Sequence, residues 1–104
     1  MALSPPGKQR GDVVTAEVQD NPERNRFELA VDGALAVMEY RRSGKVLAIV
    51  HTEVPSALAG RGIGTRLASG ALDIVRARGE KIIVRCSFIT EFIARHAEYG
   101  DLIA

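Results

Sequence analysis

The chain has 104 residues, of which 46% are hydrophobic and 26% charged, and its formal net charge is +1. This is one domain of ordinary globular composition, too short to carry a separate substrate domain. The near-neutral balance lacks the basic footprint of a nucleic-acid binder; the single cysteine, Cys86, excludes an internal disulfide; and no apolar run approaches the length of a membrane-spanning helix.

Residues 1–11 hold Pro5, Pro6, Gly7 and Gly11 among polar residues and read as a disordered tail, leaving 12–104 as a single domain. Met1–Gly7 has no apolar h-region of a signal peptide, so the cytoplasm is the expected location. Val13, Val14, Thr15 and Val18 suit an extended segment, and Asn21-Pro22 marks a turn. Phe27, Leu29 and Val31 then alternate with polar or small residues, which predicts a strand with one buried face. Asp32-Gly33 is a hairpin signal. In the next strand Leu35, Val37 and Glu39 share one side, with Ala36, Met38 and Tyr40 on the other. Ser43-Gly44 makes a second turn. Lys45–Val54 forms a third strand whose apolar centre, Val46–Val50, predicts cover on both faces. Arg24, Arg26, Arg41 and Arg42 form local basic groupings that read as solvated faces.

Pro55 stops this antiparallel meander. From Ile63 the period changes: Ile63, Leu67, Ala71, Ile74 and Val75 recur at helical steps. Gly79 suits the position after a helix end, and Arg76 and Arg78 suit its negative pole. Lys81–Cys86 is a further strand, and Phe88, Phe92 and Ile93 mark a last short helix. The order predicts an α/β (α+β) domain with a mostly antiparallel mixed sheet and a strand-helix-strand-helix C-terminal half.

The segment Gly60-Arg61-Gly62-Ile63-Gly64-Thr65 carries the most chemical information. Glycine admits close backbone approach and positive φ, and successive N–H groups in such a turn make an anion-binding concavity. The first N–H groups of the following helix lack internal partners and lie at its positive pole. A diphosphate answers both deficits, with Arg61 and Arg66 adding charge. No Gly-Lys-Ser/Thr follows, so this is not a Walker loop, and a meander rather than βαβ units precedes it, which argues against a Rossmann fingerprint.

His51-Thr52-Glu53-Val54-Pro55, the glycine loop, Lys81–Phe88 and Arg95-His96-Ala97-Glu98-Tyr99 together resemble the minimal acetyltransferase-like branch of the GNAT superfamily. The superfamily motif, Gln/Arg-x-x-Gly-x-Gly/Ala, places its glycines on Gly62 and Gly64 and its first position on Ala59. Arg85 and Ser87 stand where this branch commonly has prolines. The resemblance implies a GNAT-like fold that binds acetyl-CoA or free coenzyme A between two splayed strands. It implies that Thr52–Val54 meet the pantetheine arm, that Gly60, Arg61, Gly62, Ile63, Gly64 and Thr65 hold the pyrophosphate, and that Phe88 and Phe92 line the cofactor's flank. It also implies acetyl transfer to an amine.

For that chemistry His51 is the first candidate base, since its unperturbed pKa lies near neutrality. Glu53 shares its face in a regular strand and either orients His51 or acts as base. Cys86 is a candidate acetyl-accepting nucleophile or a small buried hydrophobe; Ser87 is a weaker candidate nucleophile. Tyr99 reads as a packing anchor or a proton donor, and His96 as a helix-end residue. His51, His96 and Cys86 lack metal-ligand spacing, so no metal is expected. The tight turns suggest an open acceptor side and hence a large acceptor, such as a protein amine. A coenzyme A-binding module without catalysis is the alternative, and an adaptor that binds no cofactor is a third reading. The acceptor and the oligomeric state are left open.

Overall fold

The computed structural model describes residues 17–104. The expected tail at 1–11 and the extended segment at Val13–Thr15 lie outside them. The described chain forms β1 (Gln19–Asn21), β2 (Arg26–Val31), β3 (Ala34–Ser43), β4 (Val46–Glu53), α1 (Ile63–Ala77), β5 (Lys81–Val84) and α2 (Ser87–Arg95). Short 3₁₀ turns occupy Pro22–Arg24, Ser56–Leu58 and Ala97–Leu102. The five strands lie in sequence order. Neighbours are antiparallel except β4 and β5, which are parallel and joined by α1. The domain is thus mixed α/β with a mostly antiparallel sheet, as the sequence pattern predicts.

The β2–β3 turn places Asp32 and Gly33 at φ +50° and +79°, the left-handed pair that a two-residue hairpin of matching twist requires. The alternation in β2 and β3 then sorts side chains as expected: Phe27, Leu29, Ala36, Met38 and Tyr40 are buried, while Leu35 is well exposed. Leu47, Ile49 and Ile82 continue this buried face across β4 and β5, and it packs against Leu67, Ala71, Leu72 and Val75 of α1 and Ile89 and Phe92 of α2 in one core.

Both helices sit on the same side of the sheet, and this corrects one expectation. The apolar run Val46–Val50 predicts cover on both faces, but only Leu47 and Ile49 are fully buried. Val46 and Ala48, together with Val50, are partly buried. Val46 and Ala48 keep side-by-side neighbours, Ser43 and Lys81 beside the first, Arg41 and Ile83 beside the second, with no helix of the described residues above them. Parallel strands need a crossover element, and here the crossover and the helix after it share one core, leaving the opposite face as the open face of a two-layer domain.

A partly buried polar network ties β1 to this frame. The Tyr40 hydroxyl donates to Asp20 Oδ1 at 2.6 Å, and Arg78, at the end of α1, donates to Asp20 Oδ2 at 2.8 Å. Burial, reinforced by the Asp20 carboxylate, pushes the Tyr40 phenol up to about 12. A phenol whose folded pKa exceeds its unfolded value contributes stability that is complete below pH ~10 and is lost as pH rises through the folded value. Alkaline unfolding is therefore expected to steepen between pH ~10 and about 12. Tyr40→Phe should flatten that limb while costing about 1–2 kcal/mol at neutral pH through the lost hydrogen bond, as denaturant titrations at several pH values would show.

Candidate functional site

β4 and β5 pair from Val46 opposite Lys81 to Ile49 opposite Val84, and the Arg85 N–H donates to Ile49 O at 2.9 Å. Beyond that point β5 turns into α2, while β4 runs on to Glu53 paired only with β3. The parallel pair therefore opens at its C-terminal end, where α/β sheets characteristically offer a ligand crevice.

A β-bulge sits at this opening. Tyr40 pairs with Ile49 and Glu39 with His51, so Val50 is the extra residue on β4. The bulge reverses the facing of everything after it. Thr52 consequently joins Ile49 on the helix side, where its hydroxyl lies 3.5 Å from Cys86 Sγ. His51 and Glu53 turn to the open face, with His51 Nε2 3.4 Å from Glu53 Oε1 and both side chains more than half exposed. The shared face of His51 and Glu53 is as expected, but His51 is not brought to Cys86. The partner that reaches Cys86 is Thr52, and His51 lies on the other side of the sheet. The apolar run before His51 has no period-2 signal, so the extra residue leaves no mark in the sequence.

Past Glu53, Val54 is partly buried and Pro55 leads into the 3₁₀ turn, whose Leu58 is buried and fixes the loop to the core. Gly60 and Gly62 then take φ +78° and +71°, and a Cβ placed on either would meet nothing within 4 Å. Their missing side chains leave an open backbone surface. Gly62 caps α1 with no side-chain cap, and the first backbone bond of the helix is Arg66 N–H to Gly62 O at 3.1 Å. The N–H groups of Ile63, Gly64 and Thr65 precede the ladder and face outward. Ile63 sends its side chain into the core, so only its backbone belongs to this surface.

Gly64 differs from the other two. A Cβ there would stand 2.8 Å from the tip of the Phe88 ring. Its glycine seats Phe88 against the first turn of α1, a packing role beside the ligand approach expected of its backbone. Arg61 donates to Asp32 at the hairpin tip, at 2.7 Å, with both side chains largely exposed. Thr65 is exposed at the helix start. Open left-handed glycines and a run of outward N–H groups at a helix's positive pole fit a diphosphate.

The remaining candidates divide by burial. Phe88 is 38% exposed beside the loop. Phe92 is not on a site surface: it is 4% exposed and packs against the rings of His96 and Tyr99, at centroid distances of 4.2 and 5.7 Å. The apolar spacing that makes it a helix-face residue also places it in the core. Tyr99 donates to Asp73 Oδ1 at 2.9 Å; burial first, then Asp73, pushes its phenol above the ordinary value, which suits a neutral anchor. His96 caps the C-terminus of α2, and Cys86, the residue before Ser87, caps its N-terminus.

Comparison with known proteins agrees with this frame. A family model described as GCN5-related N-acetyl-transferase matches residues 26–102. The chain is 35% identical over 95 residues to Protein NATD1 of Bos taurus, covering 88% of this chain and 82% of that one. It is 33% identical over 95 residues to Protein NATD1 of Mus musculus, with coverages of 88% and 84%. Among solved structures it is similar to a GCN5-like candidate N-acetyltransferase from Staphylococcus aureus, with a TM-score of 0.65 and 29% identity, covering 86% of this chain and 88% of that one.

Proposed function

This chain belongs to the GCN5-related N-acetyltransferase family, and from that membership we propose that it binds acetyl-CoA in the opening between β4 and β5 and transfers the acetyl group to an amine. The observation that carries the proposal is the open backbone of Gly60 and Gly62 leading into the unpaired N–H groups at the start of α1, directly beyond the point where the parallel strands part. Gly60–Thr65 would hold the pyrophosphate. Thr52–Val54, on the edge of β4 that β5 has left, would offer backbone groups to the pantetheine arm, and Phe88 would lie along its flank.

Bound there, acetyl-CoA supplies an acetyl thioester, and transfer to an amine forms a C–N bond, breaks the C–S bond and returns a thiol. His51 is the base that takes a proton from the amine nitrogen, and Glu53, 3.4 Å away, orients it. Thr52 and Cys86 face the opening from the helix side. The separation of His51 from Cys86 favours direct attack by the amine over relay through the thiol.

Isothermal titration with CoA and acetyl-CoA, followed by label transfer to an amine panel, tests both halves. Heat with saturation and acetylated amine are expected. Absence of heat with either form removes the proposal, and heat without transfer leaves only the binding module.

A further inference from the structure

The open face of the sheet carries three pairs of oppositely charged or titratable residues spaced two apart along a strand: Arg26 with Glu28, His51 with Glu53, and Glu39 with Arg41. The first closes to 2.7 Å and the second to 3.4 Å. The third does not close. Among the described residues the Glu39 and Arg41 side chains have neither a hydrogen bond nor an ion pair, although residues two apart on a strand stand only roughly 7 Å apart. The β-bulge lies between Glu39 and Tyr40, and a depression of about 230 Å³ opens there, lined by Arg24, Asn25, Glu39, Tyr40, Arg41 and Val50. Arg24, from the 3₁₀ turn after β1, brings a second guanidinium to its rim.

We propose that this depression is the acceptor site and that its ligand is a small amine that also carries a carboxylate, such as a free amino acid. The inference rests on the acetyl-transfer reading above. Three observations fix the chemistry. The lining is bipolar, with two cationic side chains against one half-buried carboxylate, so neither a plain cation nor a plain anion satisfies it. Glu39 pairs across the ladder with His51, and directly opposed residues bring their side chains within about 5 Å. An ammonium held by Glu39 therefore stands beside the base that must deprotonate it, while Arg41 and Arg24 hold the carboxylate at the far end. Val50, the bulge residue, forms the wall nearest the strand opening. The volume falls below the usual range of drug-sized pockets, which suits a small molecule rather than the protein amine that the open face first suggests. Glu39 is thus a specificity residue, and its effect falls on which amines are accepted.

The test is an NMR titration of the protein, free and with CoA, using ε-aminocaproate and its two halves, hexylamine and caproate. ε-Aminocaproate is expected to shift the amides of Glu39, Arg41 and Val50. Each exposed charge pair is worth about threefold, so it should bind about threefold tighter than either half, each of which keeps one pair. Glu39→Gln should level it with caproate, and Arg41→Gln with hexylamine. Equal binding of the three probes, shifts confined to other surfaces, or no shift at tens of millimolar would each overturn the assignment. CoA added to the same sample reads the cofactor site separately, through the amides of Gly60–Thr65. Silence there counts against the acetyl-transfer reading and leaves the depression to be judged by its own probes.

Discussion

Gly62→Val is expected to weaken CoA binding by well over tenfold, at least ~2 kcal/mol, while leaving the protein folded. Two effects combine. Gly62 sits at φ +71°, where a β-branched residue is strained by roughly 1–3 kcal/mol, so the loop relaxes away from the conformation that aims its N–H groups. The added side chain also stands in space that is open in the wild type. Gly64→Val should damage binding by a different route, because its side chain would displace Phe88. Gly64→Val with Phe88→Ala is therefore expected to recover part of the loss, whereas Gly62→Val with Phe88→Ala is not. Arg61→Ala should cost little, since that guanidinium is exposed and already paired with Asp32. Calorimetry on the variants checks all of these, and unchanged affinity in folded Gly62→Val would remove the backbone cradle as the anion site.

The sequence and the structure agree where local chemistry decides the outcome. Asp32-Gly33 makes a tight hairpin because those residues tolerate the left-handed region, and α1 begins at Ile63 because its apolar period begins there. The glycine loop is legible for the same reason. What the sequence did not carry is which face each site residue takes. That depends on Val50, one extra residue inside a uniformly apolar run, and such a run reads the same in either register. The extra residue puts Thr52 rather than His51 beside Cys86. Gly64 and Phe92 illustrate a second limit. Both fit the family pattern as cofactor contacts; one also makes room for a neighbouring ring, and the other fills the core. Helical spacing alone does not separate a residue that lines a cleft from one that supports it.

Under the proposed function, the facing of His51 also bears on which route acetyl transfer would take. His51 lies on the open face, 3.4 Å from Glu53 and opposite Glu39, where under the proposed function it would meet an acceptor arriving from the side the helices leave uncovered. Cys86 meets whatever lies on the helix side, with the Thr52 hydroxyl at 3.5 Å. If the amine attacks the thioester directly, His51→Ala should lower kcat about a hundredfold, the low end of general-base contributions, with CoA affinity unchanged. Cys86→Ala should then change kcat by only a few-fold, through packing at the start of α2. If instead the acetyl group passes through the thiol, Cys86→Ala abolishes transfer, and acid-quenched wild-type protein carries label on Cys86 before any amine is added. Steady-state rates of the two variants, read beside mass spectrometry of the quenched protein, separate the routes. The bulge predicts the first, because it turns the imidazole to the opposite side of the sheet from the sulfur it would have to activate.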